Sequence, residues 1–184
     1  MLDTSGSIGA GNFQEVRTFT RDFADTLLTN ETDTSNNRIG IVLFQSSASV
    51  NFPLNSPVTQ KQDLLSHIES LPYSGGGTNT ADGLDTMRMQ AWRDDIATVR
   101  LAMVLTDGQS NDFDATIQSA TNVHAHEPGI LVFAIGVGSG PNMVELREIA
   151  SGPEFVATLA SFDQTLFSAT VASFSYRICN TGEQ

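Results

Sequence analysis

Short apolar runs alternate with amphipathic segments along this 184-residue sequence. The runs at 39–44, 101–105 and 130–135 are continuous, as strands buried on both faces of a sheet require. Phe13 and Val16 begin a series of apolar residues at three- and four-residue steps, which is the period of a helix. Strands that alternate with helices predict right-handed crossovers. We therefore expect a doubly wound α/β fold with a mostly parallel central sheet and helices on both faces.

One strand should differ from the others. Ala48, Val50, Phe52 and Leu54 alternate with polar residues, which is typical of a strand with one face in water. Pro53 has no backbone N–H to donate, which agrees with a position at the edge of the sheet. The pattern predicts an antiparallel edge strand.

The sequence has no internal repeat and no low-complexity linker, so residues 1–184 are interpreted as a single domain. At this length, a 40% share of apolar residues is enough for a substantial core. Further helices are predicted over about 61–70, 80–92, 114–124, 142–150 and 163–176, and a short strand over 155–157.

The formal net charge of −12 limits what the chain can bind. Nucleic acids and anionic lipid surfaces need Lys and Arg to neutralise their phosphates, so neither is an expected partner. No apolar run reaches the roughly 18 residues of a membrane span, so membrane insertion is not expected either. A partner, or an ion that bridges to it, should be cationic.

Three polar segments carry the chemistry. Asp3, Ser5 and Ser7 stand at alternate positions, Thr78 follows three glycines, and Asp107 follows the buried run that ends at 105. In doubly wound sheets ligands collect at the carboxyl ends of the strands, where these segments should meet. Hydroxyl and carboxylate oxygens are the ligands that Mg²⁺ prefers, and no Cys or His is needed. The sequence therefore predicts a magnesium site.

Taken separately, each segment has an ordinary structural interpretation. Ser7 or Asn12 could cap the first helix, and Thr78 could cap the helix after the glycine loop. The order of the three segments relative to the predicted strands favours the shared metal site instead.

Together, the Asp-x-Ser-x-Ser motif, the glycine loop with Thr78 and the strand-end Asp107 resemble the von Willebrand factor A family and its metal-ion-dependent adhesion site. The resemblance covers nearly the whole chain. It implies a non-enzymatic module in which Mg²⁺, or alternatively Mn²⁺ or Ca²⁺, is held by Asp3, Ser5, Ser7, Thr78 and Asp107. Only two carboxylates face the ion, so its positive charge is little more than balanced, and one coordination position is left for an Asp or Glu of a partner protein.

Thr4 and the Gly-Gly-Gly-Thr-Asn-Thr loop are similar to the secreted, collagen- and matrilin-like branch of the family. The resemblance therefore implies an extracellular matrix or cell-surface partner, collagen-like or otherwise, and a secreted protein with further modules. The triplet Asn30–Thr32 is a glycosylation acceptor pattern and agrees with secretion.

The start of the sequence departs from the family pattern. Family members normally have about five apolar residues before the first Asp, the length of a typical strand, whereas here only Met1 and Leu2 precede Asp3. We expect a truncated first strand, in a fragment of a larger protein or with part of the strand supplied by a partner. The single cysteine, Cys179, has no internal partner, and the resemblance implies pairing with an upstream cysteine.

Two alternative functions remain open. A nucleotide- or phosphate-binding enzyme of similar fold is disfavoured. The glycine loop lacks the Lys of a phosphate-binding loop, and Pro141 stands where a dinucleotide-binding motif has its last Gly. Ser5 stands where a magnesium phosphatase needs a second carboxylate. A structural matrix component is the other alternative, in which the acidic surface organises calcium or basic neighbours and the metal site is minor.

Other polar clusters are assigned structural roles. Asp112 and Asp114 are interpreted as helix caps rather than a second ion site. The pair His124 and His126 is interpreted as exposed residues at a helix end, favoured there by the macrodipole. Asp82 and Asp85, in the first turns of a helix, are likewise not counted as ligands; the Phe residues and Trp92 are assigned to the core.

Overall fold

The computed structural model describes residues 1–28, 37–56, 61–93, 99–127, 129–170 and 172. The strands form a single six-stranded sheet in the order β3-β2-β1-β4-β5-β6. Every pairing is parallel except that of β2 with β3. The strands are β1 (Leu2–Asp3), β2 (Ile41–Phe44), β3 (Ala48–Phe52), β4 (Leu101–Thr106), β5 (Leu131–Val137) and β6 (Val156–Leu159). The doubly wound sheet with one antiparallel edge strand is confirmed.

The helices lie close to their predicted positions. They are α1 (Gly9–Leu27), α2 (Lys61–Glu69), α3 (Thr80–Arg88), α4 (Phe113–His124), α5 (Met143–Ile149) and α6 (164–170), with a 3₁₀ turn at Pro153–Phe155. In α1–α5 and the 3₁₀ turn, no helix is both long and apolar enough to cross a bilayer. Three features of the sequence fall outside the described residues: the triplet at 30–32, the end of the last predicted helix at 173–176, and Cys179.

The first strand is short and central. Leu2 pairs with Leu43 of β2 on one side and with Leu105 of β4 on the other. Thr4 extends the contact to β2, because its backbone N–H donates to the carbonyl of Phe44 at 2.8 Å. These pairings place β1 at the middle of the sheet, directly before the first polar segment.

The edge strand corrects one detail of the predicted alternation. Val50 was expected to point into the core, but its side chain is 40% exposed. The register between β2 and β3 shifts between Ile41 and Val42, so that Phe52 pairs with Ile41 and Val50 with Val42. Such an irregularity, typical of a β-bulge, breaks the alternation of inward and outward residues.

The core fills both faces of the sheet. Phe133 of β5 is fully buried, as is Phe13 of α1. Phe19 is also buried, as expected for the Phe residues, and its ring stacks on Phe167 of α6 at a centroid distance of 4.2 Å. This contact fixes α6 along α1.

The two ends of the parallel strands are built differently. At the carboxyl ends lie the polar segments that follow β1, β4 and β5. At the amino ends of β2 and β4 lies a cavity of about 540 Å³, which we call the apolar groove. Its lining includes Phe23, Ile41, Trp92 and Ala102.

Candidate metal centre

Asp3 lies at the carboxyl end of β1 and its side chain is completely buried. The backbone N–H of Ser5 donates to Asp3 Oδ1 at 2.7 Å, and the hydroxyl of Thr106 donates to Oδ2 at 2.7 Å. The carboxylate therefore ties the turn that carries Ser5 to the end of β4.

Ser5, Ser7 and Asp107 form a continuous polar contact above Asp3. The hydroxyl oxygens of Ser5 and Ser7 are 3.0 Å apart, and Ser7 Oγ donates to Asp107 Oδ1 at 2.8 Å. Residues 100 positions apart in sequence thus share one crevice. The geometry follows from the sheet, because β1 and β4 are parallel neighbours and both end at this edge.

Thr78 faces the same crevice from the glycine loop. A Cβ atom built on Gly108 would lie 3.5 Å from Ser7 Oγ and 3.9 Å from Thr78 Oγ1, so both hydroxyls point towards the residue after Asp107. The alternative that Thr78 caps the next helix is wrong, because Asn79 occupies the N-cap and accepts from the N–H of Asp82. The structure thus brings all five predicted side chains together.

The other capping alternative is also wrong. Ile8 occupies the N-cap position of α1, and no side chain caps that helix. Ser7 is hydrogen-bonded to Asp107 instead, and Asn12 lies inside the helix. Ser7 therefore belongs to the crevice rather than to the helix end.

Backbone hydrogen bonds connect the first polar segment to the glycine loop. Gly6 N–H donates to the carbonyl of Gly76, and Gly75 N–H donates to the carbonyl of Thr4, each at 2.9 Å. Gly75 and Gly76 have φ values of 68° and 108°, a region of backbone conformation that favours glycine. A Cβ on Gly76 would also lie 2.6 Å from Gln45 Oε1. The consecutive glycines are therefore required by the close approach of these loops.

The turn between β2 and β3 supports the glycine loop from its other side. Ser46 Oγ accepts from the N–H of Gly77 at 2.9 Å, and the carbonyl of Gln45 accepts from the N–H of Asn79 at 2.6 Å. Asp82, in the first turn of α3, accepts from the N–H of Ala48 at 2.6 Å. The carboxylate of Asp82 thus ties α3 to the start of β3.

The loop after β4 is held by α5 and by the loop after β5. Gly140 packs so tightly on Asp107 that a Cβ there would collide with the Asp107 carbonyl oxygen. Glu145 of α5 is buried and accepts from the Ser110 hydroxyl at 2.9 Å and from the Ser110 N–H at 3.3 Å. Burial raises the pKa of Glu145, while the bonds from Ser110 oppose that rise.

The electrostatics of the crevice favour a bound cation. Burial raises the pKa of Asp3, hydrogen bonds from Thr106 and Ser5 oppose the rise, and the charge of Asp107 adds to it. Burial also raises the pKa of Asp107. Within the described ranges, neither carboxylate has a Lys, Arg or His in ion-pairing distance. Two carboxylates that share a partly dehydrated site without a positive partner are stabilised in their charged form by a cation.

The donor set indicates which kind of cation fits. The described residues hold no cluster of three or more His, Cys, Asp and Glu side chains, so a zinc site built on nitrogen and sulfur is not present there. Hydroxyl and carboxylate oxygens instead match hard divalent cations such as Mg²⁺. The residues of the crevice therefore fit the expected metal.

Several residues of this edge were not identified from the sequence. Thr106 binds Asp3, Ser46 binds the glycine loop, and Asn111 binds Thr78 through main chain and side chain. Thr106 could have been found from its place beside Asp107 at a strand end. Ser46 and Asn111 give no comparable sequence pattern, because their contacts span more than 30 residues.

The remaining predicted structural residues have protein partners. Asp112 is the N-cap of α4 and accepts from the N–H of Ala115 at 2.9 Å, as expected for a cap. Asp85 accepts from the hydroxyl of Ser119 at 2.9 Å and so joins α3 to α4. His124, in the last turn of α4, is 3.1 Å from the carbonyl of Ile149.

Comparisons with known proteins agree with this geometry. Residues 1–170 match the family model for the von Willebrand factor type A domain. The collagen alpha-1(XII) chain of Notophthalmus viridescens is 30% identical over 98% of this chain, and matrilin-4 of Mus musculus is 29% identical over 97%. This chain spans 19% and 28% of those two proteins, respectively.

A solved structure is similar as well. Proximal thread matrix protein 1 from the mussel byssus, described with a zinc-occupied MIDAS motif, superposes with a TM-score of 0.79 at 29% identity. The similarity covers 94% of this chain and 44% of that one.

Proposed function

Because the chain belongs to the von Willebrand factor type A domain family, we propose that it binds an acidic side chain of another protein through a divalent cation. The observation that carries the proposal is the convergence of hydroxyl and carboxylate oxygens on one crevice without a basic side chain beside them. The ion would be held by Asp3, Ser5, Ser7, Thr78 and Asp107.

Mg²⁺ is the proposed ion, with Mn²⁺ or Ca²⁺ as substitutes, since the site consists of oxygen donors. When bound, it supplies positive charge and a coordination position for an incoming carboxylate. The chain's own residues supply orientation. The carboxylate of Asp3 fixes the turn because it accepts a hydrogen bond from the N–H of Ser5. Ser7 and Asp107 are already in contact through their side chains. The zinc in the mussel protein agrees with a divalent ion in this position of the fold.

Because the loops around the crevice carry no basic side chain, the bound ion would be the main source of attraction for an acidic side chain of a partner. The four segments at this edge, 3–8, 74–79, 107–112 and 138–142, contain no Lys, Arg or His. An acidic group that approaches therefore meets carboxylates and neutral side chains, and without the cation it is repelled. We infer that binding requires the metal strictly, rather than being only strengthened by it.

The proposed partner is an extracellular matrix or cell-surface protein, and the proposed location is outside the cell. The names of the relatives, collagen and matrilin chains, and of the mussel matrix protein support this choice. The proposed role is non-enzymatic, because the four segments around the crevice contain no His, Lys or Cys that could serve as a general base or a strong nucleophile.

Binding to immobilised collagen tests the proposal. We expect binding in Mg²⁺ that is lost in EDTA, lost in the Asp107→Ala variant, and lost when the carboxyl groups of the collagen are converted to amides. Asp114→Ala is the matched control, since it removes the same charge from an exposed site in the first turn of α4. Binding that falls with salt but ignores EDTA and Asp107→Ala would instead favour the structural role of the acidic surface.

A further inference from the structure

We propose that Asn111 is a positioning residue for Thr78 and thereby sets the affinity of the site for its cation. The inference rests on the proposed metal site and adds to it a residue that would not coordinate the ion. Asn111 lies four positions after Asp107 in the loop that follows β4, and its side chain is exposed.

Asn111 holds Thr78 by two hydrogen bonds in opposite directions. The side-chain Oδ1 of Asn111 accepts from the N–H of Thr78 at 3.2 Å, and the N–H of Asn111 donates to the carbonyl of Thr78 at 2.8 Å. Both polar backbone groups of Thr78 are thus bound by a single residue. The backbone that carries the Thr78 hydroxyl is fixed relative to the loop that carries Asp107.

Steric contact adds to the hydrogen bonds. A Cβ built on Gly77 would lie 2.5 Å from Asn111 Nδ2, so the amide covers the glycine that precedes Thr78. A side chain at 77 would therefore displace the Asn111 amide from its present position, although the φ of Gly77 is not in the left-handed region. Two features of the loop, the hydrogen bond from the Thr78 N–H and the absence of a side chain at Gly77, therefore depend on the same amide.

The effect on the cation follows from the way the loops are connected. The first polar segment is bound to the glycine loop through Gly6 and Gly75, but those bonds do not reach Thr78 itself. Asn111 supplies that missing connection to the loop of Asp107. Residues that orient metal ligands without binding the ion typically change affinity by roughly tenfold to a hundredfold when they are replaced. We expect an effect of this size for Asn111.

The test measures Mn²⁺ and Mg²⁺ binding by titration calorimetry for the parent chain and for Asn111→Leu. Asn111→Leu keeps the size of the side chain but removes the acceptor, and we expect its affinity for each ion to fall by roughly tenfold to a hundredfold. The melting temperature in EDTA should change little because the side chain is exposed. That combination separates positioning of a ligand from general destabilisation.

Two further variants separate hydrogen bonding from charge. Asn111→Asp retains the acceptor for the Thr78 N–H and should restore most of the affinity. Gln109→Asp adds the same charge at an exposed neighbouring position and should not restore the affinity when combined with Asn111→Leu.

Gly77→Ala should reproduce the loss of affinity. Combining it with Asn111→Leu should cause little further loss, because both changes remove the same contact.

The outcomes are distinguishable. If the parent chain binds Mn²⁺ and Asn111→Leu binds it equally well, the role of Asn111 is refuted while the proposed function stands. If the parent chain binds neither ion, the metal site and the role of Asn111 both fail. Rescue of Asn111→Leu by Gln109→Asp would show that charge, not the contact with Thr78, sets the affinity.

Discussion

The two ends of the parallel strands differ in how the space between neighbouring elements is closed. At the carboxyl end, backbone and side-chain hydrogen bonds connect the loops, as in the contacts of Ser7 with Asp107 and of Gly6 with Gly76. At the amino end, the apolar groove of about 540 Å³ remains between the starts of β2 and β4. The carboxyl end is connected by hydrogen bonds but carries buried carboxylates, whereas the amino end is mostly apolar and contains a cavity.

From this difference we expect metal binding to depend on the carboxyl end of the sheet, whereas stability should depend on both ends. Asp3, Asp107 and Glu145 all have pKa values raised by burial, so their ionised forms oppose folding at neutral pH. A cation at the carboxyl end should relieve part of that cost. Changes in the groove should alter stability without altering metal binding, and four predictions test this separation.

The largest expected effect is stabilisation by Mg²⁺. An ion that binds the folded chain at about 100 times its Kd adds roughly 2.7 kcal/mol to the free energy of unfolding. We expect Asp107→Ala to abolish this gain. Urea unfolding in Mg²⁺ and in EDTA measures it for both proteins. An equal gain in Asp107→Ala would place the bound ion elsewhere.

A smaller effect is expected from Gly140→Ala. The new Cβ would collide with the carbonyl oxygen of Asp107, and overpacking of this kind typically costs about 1–3 kcal/mol. The displaced backbone should also weaken Mn²⁺ binding, as measured by calorimetry. Gly129→Ala is the matched control, since its Cβ would meet no atom within 4 Å. Normal Mn²⁺ affinity in Gly140→Ala would show that Asp107 tolerates the shift.

Glu145→Gln should change how stability depends on pH. Because burial raises the pKa of Glu145, its contribution to folding is present at low pH and is lost as the pH rises through the raised pKa. Gln keeps an acceptor for Ser110 and does not ionise. In EDTA, we therefore expect its stability relative to the parent chain to increase with pH. Melting temperatures across the acidic range measure this, and parallel curves would contradict it.

The smallest effect is expected from the apolar groove. Ala102 is buried in β4 and lines the groove, so Ala102→Val adds apolar volume at a strand position that favours β-branched residues. Cavity filling commonly adds about 0.5–2 kcal/mol, and we expect a gain near the lower limit. The affinity for Mn²⁺ should not change. A change in that affinity would show that the two ends of the sheet are coupled.

Much of the fold could be predicted from the sequence because apolar periodicity reports burial directly. The limits of β4 and α2 were predicted to within one residue. Val50 was assigned to the wrong face because a change of register, unlike alternation, leaves no mark in a single sequence. Ser7 was weighed as a helix cap because its residue type suits both roles, and only the position of Asp107 distinguishes them.

The candidate site was predictable where its residues follow strand ends, and unpredictable where they depend on packing between distant loops. Asp3 and Asp107 come directly at such ends, so the parallel sheet brings them together. Asn111 and Ser46 contact the glycine loop across more than 30 residues, and neighbouring sequence does not specify which loops will touch. That all five predicted side chains coordinate a metal stays a prediction.

The backbone bonds from Gly6 to Gly76 and from Gly75 to Thr4 join the two loops without using any of the five side chains proposed to hold the ion. We therefore expect that a chelator would remove the ion without breaking the contacts between the loops. Mg²⁺ added afterwards would bind to oxygens that have kept their positions. If the proposed function holds, we expect attachment to be released and renewed as the divalent-cation concentration of the surroundings varies, with no refolding step between one cycle and the next.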